Sequence, residues 1–407
     1  MKQDEAFEIL KYSPSCVLLT GCPGAGKSYL TNRYIDWLID NGKRLAVTAS
    51  TGIAAINVSG KTLHSFSGLR NDEPLSDDDI NGLLGNRYLV KRYCETDVLI
   101  IDEISMVSAQ MLDNVNILAK IARSSDKPFG GIKVVAVGDF YQLPPVSGDF
   151  CFNSKVWKEA EFVFCNITEQ HRTNDNTFID ILTGVRAGQL NEEQRSLVRA
   201  RLTEDASDLD VVRLDTHNGK VDEINQMKLS RLTTLAHTYR MDTDGDPMYV
   251  DSLKKSCLSP EVLILKVGAK IIFTRNDFEQ RFVNGTQGEV IGLEDNHIIV
   301  RLTTSGEEIT VERATWEYVV GYGMNRVVLA SISQIPVRLA WAITIHKSQG
   351  MTLDRAVIDV SRVFATGQAY VAISRVRSLD GVYLQGKLTE RFLSVSDEVK
   401  QFYELNK

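Results

Sequence analysis

The segment Gly21–Ser28 combines three glycines with a lysine and a serine, and it follows the apolar run Val17–Thr20. Glycines allow backbone N–H groups to converge on phosphate oxygens, and the helix that we expect to begin near Lys27 adds positive potential. Lys27 can then reach the β- and γ-phosphates of a nucleoside triphosphate, while Ser28 can ligate Mg²⁺. The sequence therefore predicts a nucleotide-binding loop formed by Gly24, Ala25, Gly26, Lys27 and Ser28.

Two adjacent carboxylates, Asp102 and Glu103, follow a second apolar run, Val98–Ile101. If this run is a strand of a parallel sheet, both acids emerge at its carboxyl end, where α/β sheets bind ligands. Asp102 can hold Mg²⁺, partly through water, and Glu103 can polarise the attacking water. A pair of acids is also common at a solvated strand end, but the nearby phosphate-binding loop favours hydrolysis of ATP.

The elements that position these groups alternate between short apolar runs and amphipathic segments, which is typical of α/β domains. One helix is expected from Lys27 to Asn41, and another after Ser108. A second α/β set begins near Val211. It is interrupted by β-rich runs separated by turn-forming residues, and this spacing fits a small antiparallel barrel: 270–273, 289–291, 297–300 and 308–311.

Bulk composition limits the class of protein. The chain has 407 residues, 43% of them hydrophobic and 24% charged, as in ordinary globular proteins. No stretch of about twenty apolar residues is present, so we expect a soluble, intracellular protein with no membrane association. The six cysteines and six histidines show no metal-binding spacing. The net charge of −7 argues against a simple nucleic-acid-binding protein, although local acidic clusters can face away from a basic channel.

Six motifs occur in the order found in superfamily-one helicases, and together they span nearly the whole chain. A further stretch, from Met111–Asp113 to Pro128–Gly131, resembles the signature insert of the Pif (petite-integration-frequency) helicases, which are relatives of RecD and Dda. The six motifs are Thr48–Ala55, Thr62–Phe66, Ile101–Val107, Gly138–Val146, Thr344–Gly350 and Tyr370–Arg375.

The resemblance implies an α/β fold with two RecA-like P-loop domains that bind ATP between them. A small wedge domain would be inserted in the first and an SH3-like β-barrel in the second. The implied bounds are 1–57 and 92–168 for domain 1A, 58–91 for the wedge 1B, 169–262 and 336–407 for domain 2A, and 263–335 for the barrel 2B.

The resemblance also implies roles for residues outside the phosphate-binding loop. Gln3 would read adenine, Gln142 would sense the γ-phosphate, and Arg172 and Arg375 would be arginine fingers from the second domain. Gly350 would also contact the nucleotide. His171 departs from the family pattern, because an aromatic ring is common at that position. A guanidinium always stays charged and offers fixed, bidentate donors, so arginines suit the charge that develops during phosphoryl transfer.

A motor that moves along a strand must hold the backbone at several points and release each in turn, which suits hydroxyls and scattered cations. Phe66 and Tyr141 could stack on bases, with a core position as the alternative. The candidate DNA-binding residues are Ser50, Thr51, Thr62, His64, Phe66, His217, Asn218, Thr344, His346, Lys347 and Ser348.

We therefore expect a monomeric motor that uses Mg²⁺ and ATP to move 5′-to-3′ on single-stranded DNA and to unwind forked duplex DNA. One alternative is a single-strand-stimulated ATPase that remodels nucleoprotein or RNA without processive unwinding. Another is a P-loop kinase or metabolic ATPase, although such enzymes lack the paired arginines and the 344–350 motif. The motifs do not distinguish RNA from DNA, since recognition of the 2′-OH depends on geometry.

Overall fold

The computed structural model describes residues 1–58, 60–170, 173, 175–204, 206, 211–279, 281–320 and 327–406. The chain divides into two compact units: unit 1 is Met1–Asn174 with Ser396–Lys407, and unit 2 is Asp175–Val395. Each unit contains a parallel sheet, which confirms the predicted α/β class. Within the described ranges, no helix combines the length and apolar character needed to cross a membrane.

The sheet of unit 1 is formed by short, apolar strands. They are β1 (Val17–Gly21), β2 (Leu45–Ala49), β3 (Lys61–Thr62), β4 (Val98–Asp102), β5 (Lys133–Gly138) and β6 (Val163–Ile167). All neighbouring pairs are parallel, in the order β3-β2-β4-β5-β1-β6. Every residue of β1 and β2 is buried, as expected for continuous apolar runs in a parallel sheet. The carboxyl ends of β1, β5 and β4 are therefore neighbours at one edge.

The helices of unit 1 begin where the sequence supplies capping residues. Ser108 accepts a hydrogen bond from the Met111 N–H at the start of the predicted helix after residue 108. Ser76 and Asn86, which lie inside the expected wedge segment, cap two further helices. The helices are α1 (Gln3–Tyr12), α2 (Lys27–Asp40), α3 (Gly52–Asn57), α4 (Leu63–Ser67), α5 (Asp77–Leu84), α6 (Arg87–Cys94), α7 (Ala109–Ala122) and α8 (Lys155–Ala160).

Unit 2 begins with two helices, α9 (Asn176–Ala187) and α10 (Glu192–Arg199), which precede a short strand, β7 (Leu202–Thr203). Its further helices are α11 (Asn218–Arg231), α12 (Pro247–Ser256) and α13 (Gln368–Ile373). Its parallel sheet has the order β19-β8-β20-β21-β7, with β8 (Val212–Asp215), β19 (Ala342–Thr344), β20 (Ala356–Asp359) and β21 (Val382–Gln385).

The antiparallel part of unit 2 contains the predicted β-rich runs but begins earlier than expected, at residue 236 rather than 263. The strand that begins at residue 236 pairs with the strand at 262–266, and its buried Tyr239 packs in one core with Leu263, Leu265 and Phe273. The strands are β9 (Ala236–Arg240), β10 (Asp242–Gly245), β11 (Val262–Lys266), β12 (Lys270–Phe273), β13 (Gln287–Leu293), β14 (His297–Leu302), β15 (Glu308–Glu312), β16 (Ala314–Val320), β17 (Val327–Gln334) and β18 (Val337–Leu339).

These strands form three antiparallel sheets. Five of them have the order β15-β14-β13-β12-β18, three have the order β10-β17-β16, and β9 pairs with β11. Their buried side chains, including Ile271, Val290 and Val300, form a core of their own. An antiparallel module within unit 2 is therefore present, as the turn spacing predicts.

The last helix, α14 (Asp397–Leu405), belongs to unit 1, although the sequence places it with domain 2A. Val399 and Tyr403 are buried in the same core as Phe140, and Phe402 stacks on Phe152 with ring centroids 4.5 Å apart. This aromatic face explains the difference, because it finds its apolar partners in unit 1.

Candidate functional site

The P-loop, residues 21–28, joins β1 to α2. Gly24 and Gly26 have φ values of +87° and +85°, a left-handed conformation that strains any side chain. Gly26 is the N-cap of α2, so Lys27 and Ser28 start the helix, where backbone N–H groups lack intrahelical acceptors. The Lys27 ammonium donates to the carbonyl oxygens of Gly21 at 2.6 Å and Cys22 at 3.2 Å. The loop thus has the shape of a phosphate cradle, with Lys27 lying against its backbone.

Gln3 lies at this loop. Its side-chain amide donates to the carbonyl of Ala25 at 2.9 Å, and its backbone N–H donates to the carboxylate of Glu169 at 2.9 Å. Gln170 donates to the carbonyl of Pro23 at 3.1 Å. Helix α1 and the segment after β6 therefore converge on the P-loop. This location is compatible with the adenine-reading role that the resemblance implies for Gln3, which stays a prediction.

Asp102 ends β4, and Glu103 follows it in an uncommon backbone conformation, with φ +50° and ψ +47°. The Glu103 N–H donates to the Asp102 carboxylate at 2.9 Å. Burial, followed by repulsion from Glu103, raises the pKa of Asp102 to about 7, and the positive charge of Lys27 opposes this shift. Such a carboxylate would be stabilised by a nearby cation. With the exposed hydroxyl of Ser28, it supplies oxygen donors that suit Mg²⁺.

Gln142 lies in the turn that follows β5, the strand between β1 and β4. The Gln142 N–H donates to the carbonyl of Asp139 at 2.9 Å, and the Tyr141 N–H donates to the Asp139 carboxylate at 3.2 Å. Gln142 is only 6% exposed. The structure therefore brings this residue to the same sheet edge as the P-loop and Asp102.

Two further candidate nucleotide-site residues, Arg375 and Gly350, belong to unit 2. Arg375 follows α13 in unit 2 and is buried; its guanidinium donates to the carbonyl of Val371 at 3.0 Å and the hydroxyl of Ser374 at 2.9 Å. Gly350 is exposed and has φ +76°. Arg172 falls outside the described residues, as does His171. Their nucleotide-site roles stay predictions.

The candidate DNA loops of unit 1 begin beside the nucleotide site. The Ser50 N–H donates to the carbonyl of Asp102 at 3.2 Å, so the loop after β2 is bonded to the end of β4. The buried hydroxyl oxygen of Ser50 has no partner in the described part of the chain. The Thr51 hydroxyl accepts from the Ala54 N–H at 3.2 Å.

The second motif of unit 1 is arranged around α4. Thr62 is the N-cap of this helix, and its hydroxyl accepts from the Ser65 N–H at 3.1 Å. The His64 ring nitrogen Nε2 lies 3.0 Å from the Asp72 carboxylate, and the side chain of His64 is 40% exposed. His64 therefore remains accessible to a ligand, whereas the Thr62 hydroxyl helps to form the loop.

The structure corrects the prediction that Phe66 stacks on bases. Phe66 is fully buried, and its ring meets the edge of Tyr93 with centroids 5.2 Å apart. The side chain is part of the core, which was the alternative for an aromatic residue in an apolar motif. Tyr141 stacks on Tyr403 with centroids 4.7 Å apart, so one face of its ring is already covered.

In unit 2, two candidate DNA loops leave adjacent parallel strands. Thr344 at the end of β19 lies opposite Asp215 at the end of β8, and the Ile345 N–H donates to the Asp215 carbonyl at 2.9 Å. His217 and Asn218, at the start of α11, are exposed. Parallel pairing therefore brings together two motifs that are more than a hundred residues apart in sequence. A hydrogen bond from the Asn225 side chain to the Ala342 carbonyl, 117 residues later, also joins these two parts of the chain.

The structure also corrects the roles of the Thr344 and Ser348 side chains, because these residues are only 2% and 0% exposed. The Thr344 hydroxyl accepts from the Lys347 N–H at 3.2 Å, and the Ser348 hydroxyl donates to the Ile345 carbonyl at 2.7 Å. These hydroxyls shape the turn rather than face a ligand. His346 and Lys347 are partly exposed, and burial lowers the pKa of both.

Two cations near these loops, Lys61 and Arg338, lie outside the sequence motifs. Burial, followed by the positive charge of Arg92, lowers the pKa of Lys61 to about 8. Arg338 is 9% exposed, its Nε has no partner in the described ranges, and burial lowers its pKa while Asp222 opposes the shift. Lys61 could have been found from its position next to Thr62. Arg338 could not, because only the fold brings β18 near Lys347, whose pKa it also lowers.

Comparison with known proteins places this chain in a family. A model described as PIF1-like helicase matches residues 3–196, and one described as the 2B domain of DNA helicase Pif1 matches residues 248–293. The ATP-dependent DNA helicase Pif1 of Psychrobacter sp. is 39% identical, covering 95% of this chain and 68% of that protein. The same-named helicase of Bdellovibrio bacteriovorus is 36% identical over 99% of this chain and 91% of that protein.

Solved structures agree with the sequence relatives. The crystal structure of Bacteroides sp Pif1 in complex with ADP-AlF4 has a TM-score of 0.88 and 33% identity, covering 99% of this chain and 96% of that one. The Bacteroides Pif1 structure bound to ssDNA has a TM-score of 0.67 and 33% identity, with the same coverage of 99% and 96%. The chain therefore belongs to the Pif1-like family of ATP-dependent DNA helicases.

Proposed function

We propose that the chain couples hydrolysis of Mg-ATP to 5′-to-3′ movement along single-stranded DNA and to unwinding of forked duplexes. One observation carries the proposal: the P-loop, Asp102 and Gln142 share one sheet edge, and the Ser50 loop is hydrogen bonded to Asp102. A change at the nucleotide can thus reach a loop expected to hold DNA through a single backbone contact. The Bacteroides relatives bound to ADP-AlF4 and to ssDNA support both ligands.

In the nucleotide site, the proposed roles follow from charge and position. Lys27 neutralises the β- and γ-phosphate oxygens once it leaves the Gly21 and Cys22 carbonyls. Ser28 and Asp102 would hold Mg²⁺, partly through water, and this ion would neutralise phosphate charge when bound. Glu103 accepts a proton from the attacking water, since it follows Asp102 at the same strand end.

The other nucleotide roles rest on the family motifs. Gln142 would sense the γ-phosphate, and Gln3 would read the adenine from its position at Ala25. Arg172 and Arg375 would supply fixed positive charge to the phosphoryl group during its transfer. Loss of the γ-phosphate would then remove the contacts that depend on it.

For the nucleic acid, we propose a track of few direct phosphate contacts rather than a dense basic patch. Exposed His217 and Asn218, together with Lys347 and the partly exposed Lys61, would hold the backbone, and Arg338 would add a buried positive charge. This arrangement agrees with a chain whose net charge is −7. We further propose that residues 58–91, which contain helix α5 and the start of helix α6, form the wedge that splits the duplex, and that the motor acts as a monomer.

The proposal is tested with three DNA substrates: a single strand, a fork with a free 5′ tail and a fork with a free 3′ tail. We expect ATP hydrolysis to be stimulated by the single strand, and only the fork that can load the protein on a 5′ tail to be unwound. The Lys27→Ala variant is the control for contaminating ATPases. Stimulated hydrolysis without separation of either fork would favour a remodelling ATPase, and the absence of stimulation by any oligonucleotide would contradict the proposed coupling.

A further inference from the structure

We propose that Tyr403, in helix α14, is a positioning residue that fixes the position of the sensor turn, residues 139–142, relative to the P-loop strand β1. This inference rests on the proposed sensing role of Gln142. It assigns to α14 a part in ATP hydrolysis that the sequence motifs do not contain, since Tyr403 lies 264 residues after Asp139.

The hydroxyl of Tyr403 is the meeting point of three segments of unit 1. It lies 2.7 Å from the hydroxyl of Thr20, the residue that precedes the first glycine of the P-loop. It lies 3.2 Å from the carboxylate oxygen Oδ1 of Asp139 and 3.3 Å from the backbone nitrogen of Phe140. Thr20 and Asp139 are fully buried, and Tyr403 is 7% exposed, so water does not compete freely for these contacts.

Counting protons fixes the direction of each hydrogen bond. The Asp139 carboxylate oxygen accepts, so the Tyr403 O–H donates to it. The Phe140 N–H can only donate, and it uses one lone pair of the Tyr403 oxygen. The Thr20 hydroxyl must then donate to the other lone pair. These three hydrogen bonds use the donor and two acceptor positions of the phenol oxygen.

The network continues from Asp139 to the sensor. The same carboxylate oxygen accepts from the Tyr141 N–H at 3.2 Å, and the Asp139 carbonyl accepts from the Gln142 N–H at 2.9 Å. On the other side, Thr20 adjoins Gly21, whose carbonyl accepts from Lys27 at 2.6 Å. Tyr403 therefore connects the base of the phosphate cradle to the turn that carries Gln142.

Apolar packing holds the Tyr403 ring independently of its hydroxyl. The ring stacks on Tyr141 and meets the edge of Phe164 with centroids 5.6 Å apart, while the preceding Phe402 packs on Phe152. Ser396 caps α14 by accepting from the Val399 N–H. Replacement of Tyr403 by Phe thus removes one oxygen and preserves the helix.

The test compares Tyr403→Phe with Tyr93→Phe in the 407-residue chain. Tyr93 is also fully buried in unit 1, but its hydroxyl oxygen has no partner in the described residues. We expect Tyr403→Phe to lower kcat of DNA-stimulated ATP hydrolysis about tenfold, since small displacements of an aligned group are costly, and to leave KM for ATP within about twofold. Tyr93→Phe should leave both constants unchanged.

A double-mutant cycle with Gln142→Ala separates positioning from general destabilisation. If Tyr403 acts through Gln142, Tyr403→Phe has little further effect on kcat in the Gln142→Ala background; if it does not, the two reductions multiply. Thr20→Val, which removes the second hydroxyl, should lower kcat in the same direction and also be non-additive with Tyr403→Phe. Melting temperatures measured for each variant show whether it is folded.

Three results would overturn the inference: wild-type kcat in Tyr403→Phe, multiplying effects in the double variant, or equal changes in kcat and KM. A different result would show that the proposed role of Gln142 is wrong. In that case Gln142→Ala alone retains wild-type turnover, so the sensor role is lost and this inference with it.

Discussion

Replacement of Glu103 by glycine should change the stability of the fold and the rate of ATP hydrolysis in opposite directions, because the Glu103 backbone is strained. Its φ of +50° and ψ of +47° lie at the centre of the left-handed region, which costs an L-residue with a side chain about 1–2 kcal/mol. Glycine relieves that strain but loses about 0.5–1 kcal/mol through extra backbone freedom in the unfolded chain. We therefore expect Glu103→Gly to stabilise the fold by about 0.5–1 kcal/mol, or a Tm increase of about 1–4 °C.

Turnover should move in the opposite direction. Loss of a general base typically costs about 10²–10⁴-fold in rate, so both Glu103→Gly and Glu103→Gln should hydrolyse ATP poorly. Glu103→Gln keeps the strained backbone and should melt near the wild-type temperature. Thermal unfolding followed by circular dichroism, together with steady-state ATP hydrolysis on a single-stranded oligonucleotide, measures both effects in the same preparations.

Glu161 offers a matched control. It is exposed, has φ +47° and follows the last residue of α8, where glycine is the preferred residue. Glu161→Gly should raise Tm by a similar amount and leave turnover unchanged. A lower Tm for Glu103→Gly would refute the strain argument, and wild-type turnover in Glu103→Gln would show that another group activates the water.

Three further predictions follow from the site. Lys27→Ala should abolish measurable ATP hydrolysis while the melting curve stays cooperative, and retained turnover would contradict the P-loop assignment. Phe66→Leu should lower Tm, since it leaves space in a fully buried site, yet single-stranded DNA affinity measured below the Tm should match wild type; a selective loss of affinity would restore the base-stacking role. Lys61→Met should reduce the slope of log K against log salt for single-stranded DNA by about 0.7. Because the pKa of Lys61 is lowered to about 8, its positive charge contributes to affinity below that pH and is lost above it. The DNA affinities of wild type and Lys61→Met, measured by fluorescence anisotropy, should therefore converge as the pH rises from 7 to 9. A difference in affinity that stays constant over this range would contradict the assignment.

Local sequence patterns determined many of the structural features of this protein. The P-loop, the apolar strands and the capped helices after Gly26 and Ser108 are short-range features, because phosphate cradles and helix starts depend on adjacent residues. The ordered motifs identified the family and the parallel-sheet domains. They also correctly led to a sheet edge where Asp102 and the P-loop meet.

Only the tertiary structure decided which side chains face a ligand. Phe66, Thr344 and Ser348 lie in motifs as predicted, but burial turns them inward, and no periodicity within such short segments reports burial. The same holds for long-range partners: Tyr403 reaches Thr20 and Asp139 because an aromatic helix face finds apolar surface in unit 1. A motif specifies which residues are near one another along the chain, whereas packing of distant segments decides which of their atoms meet.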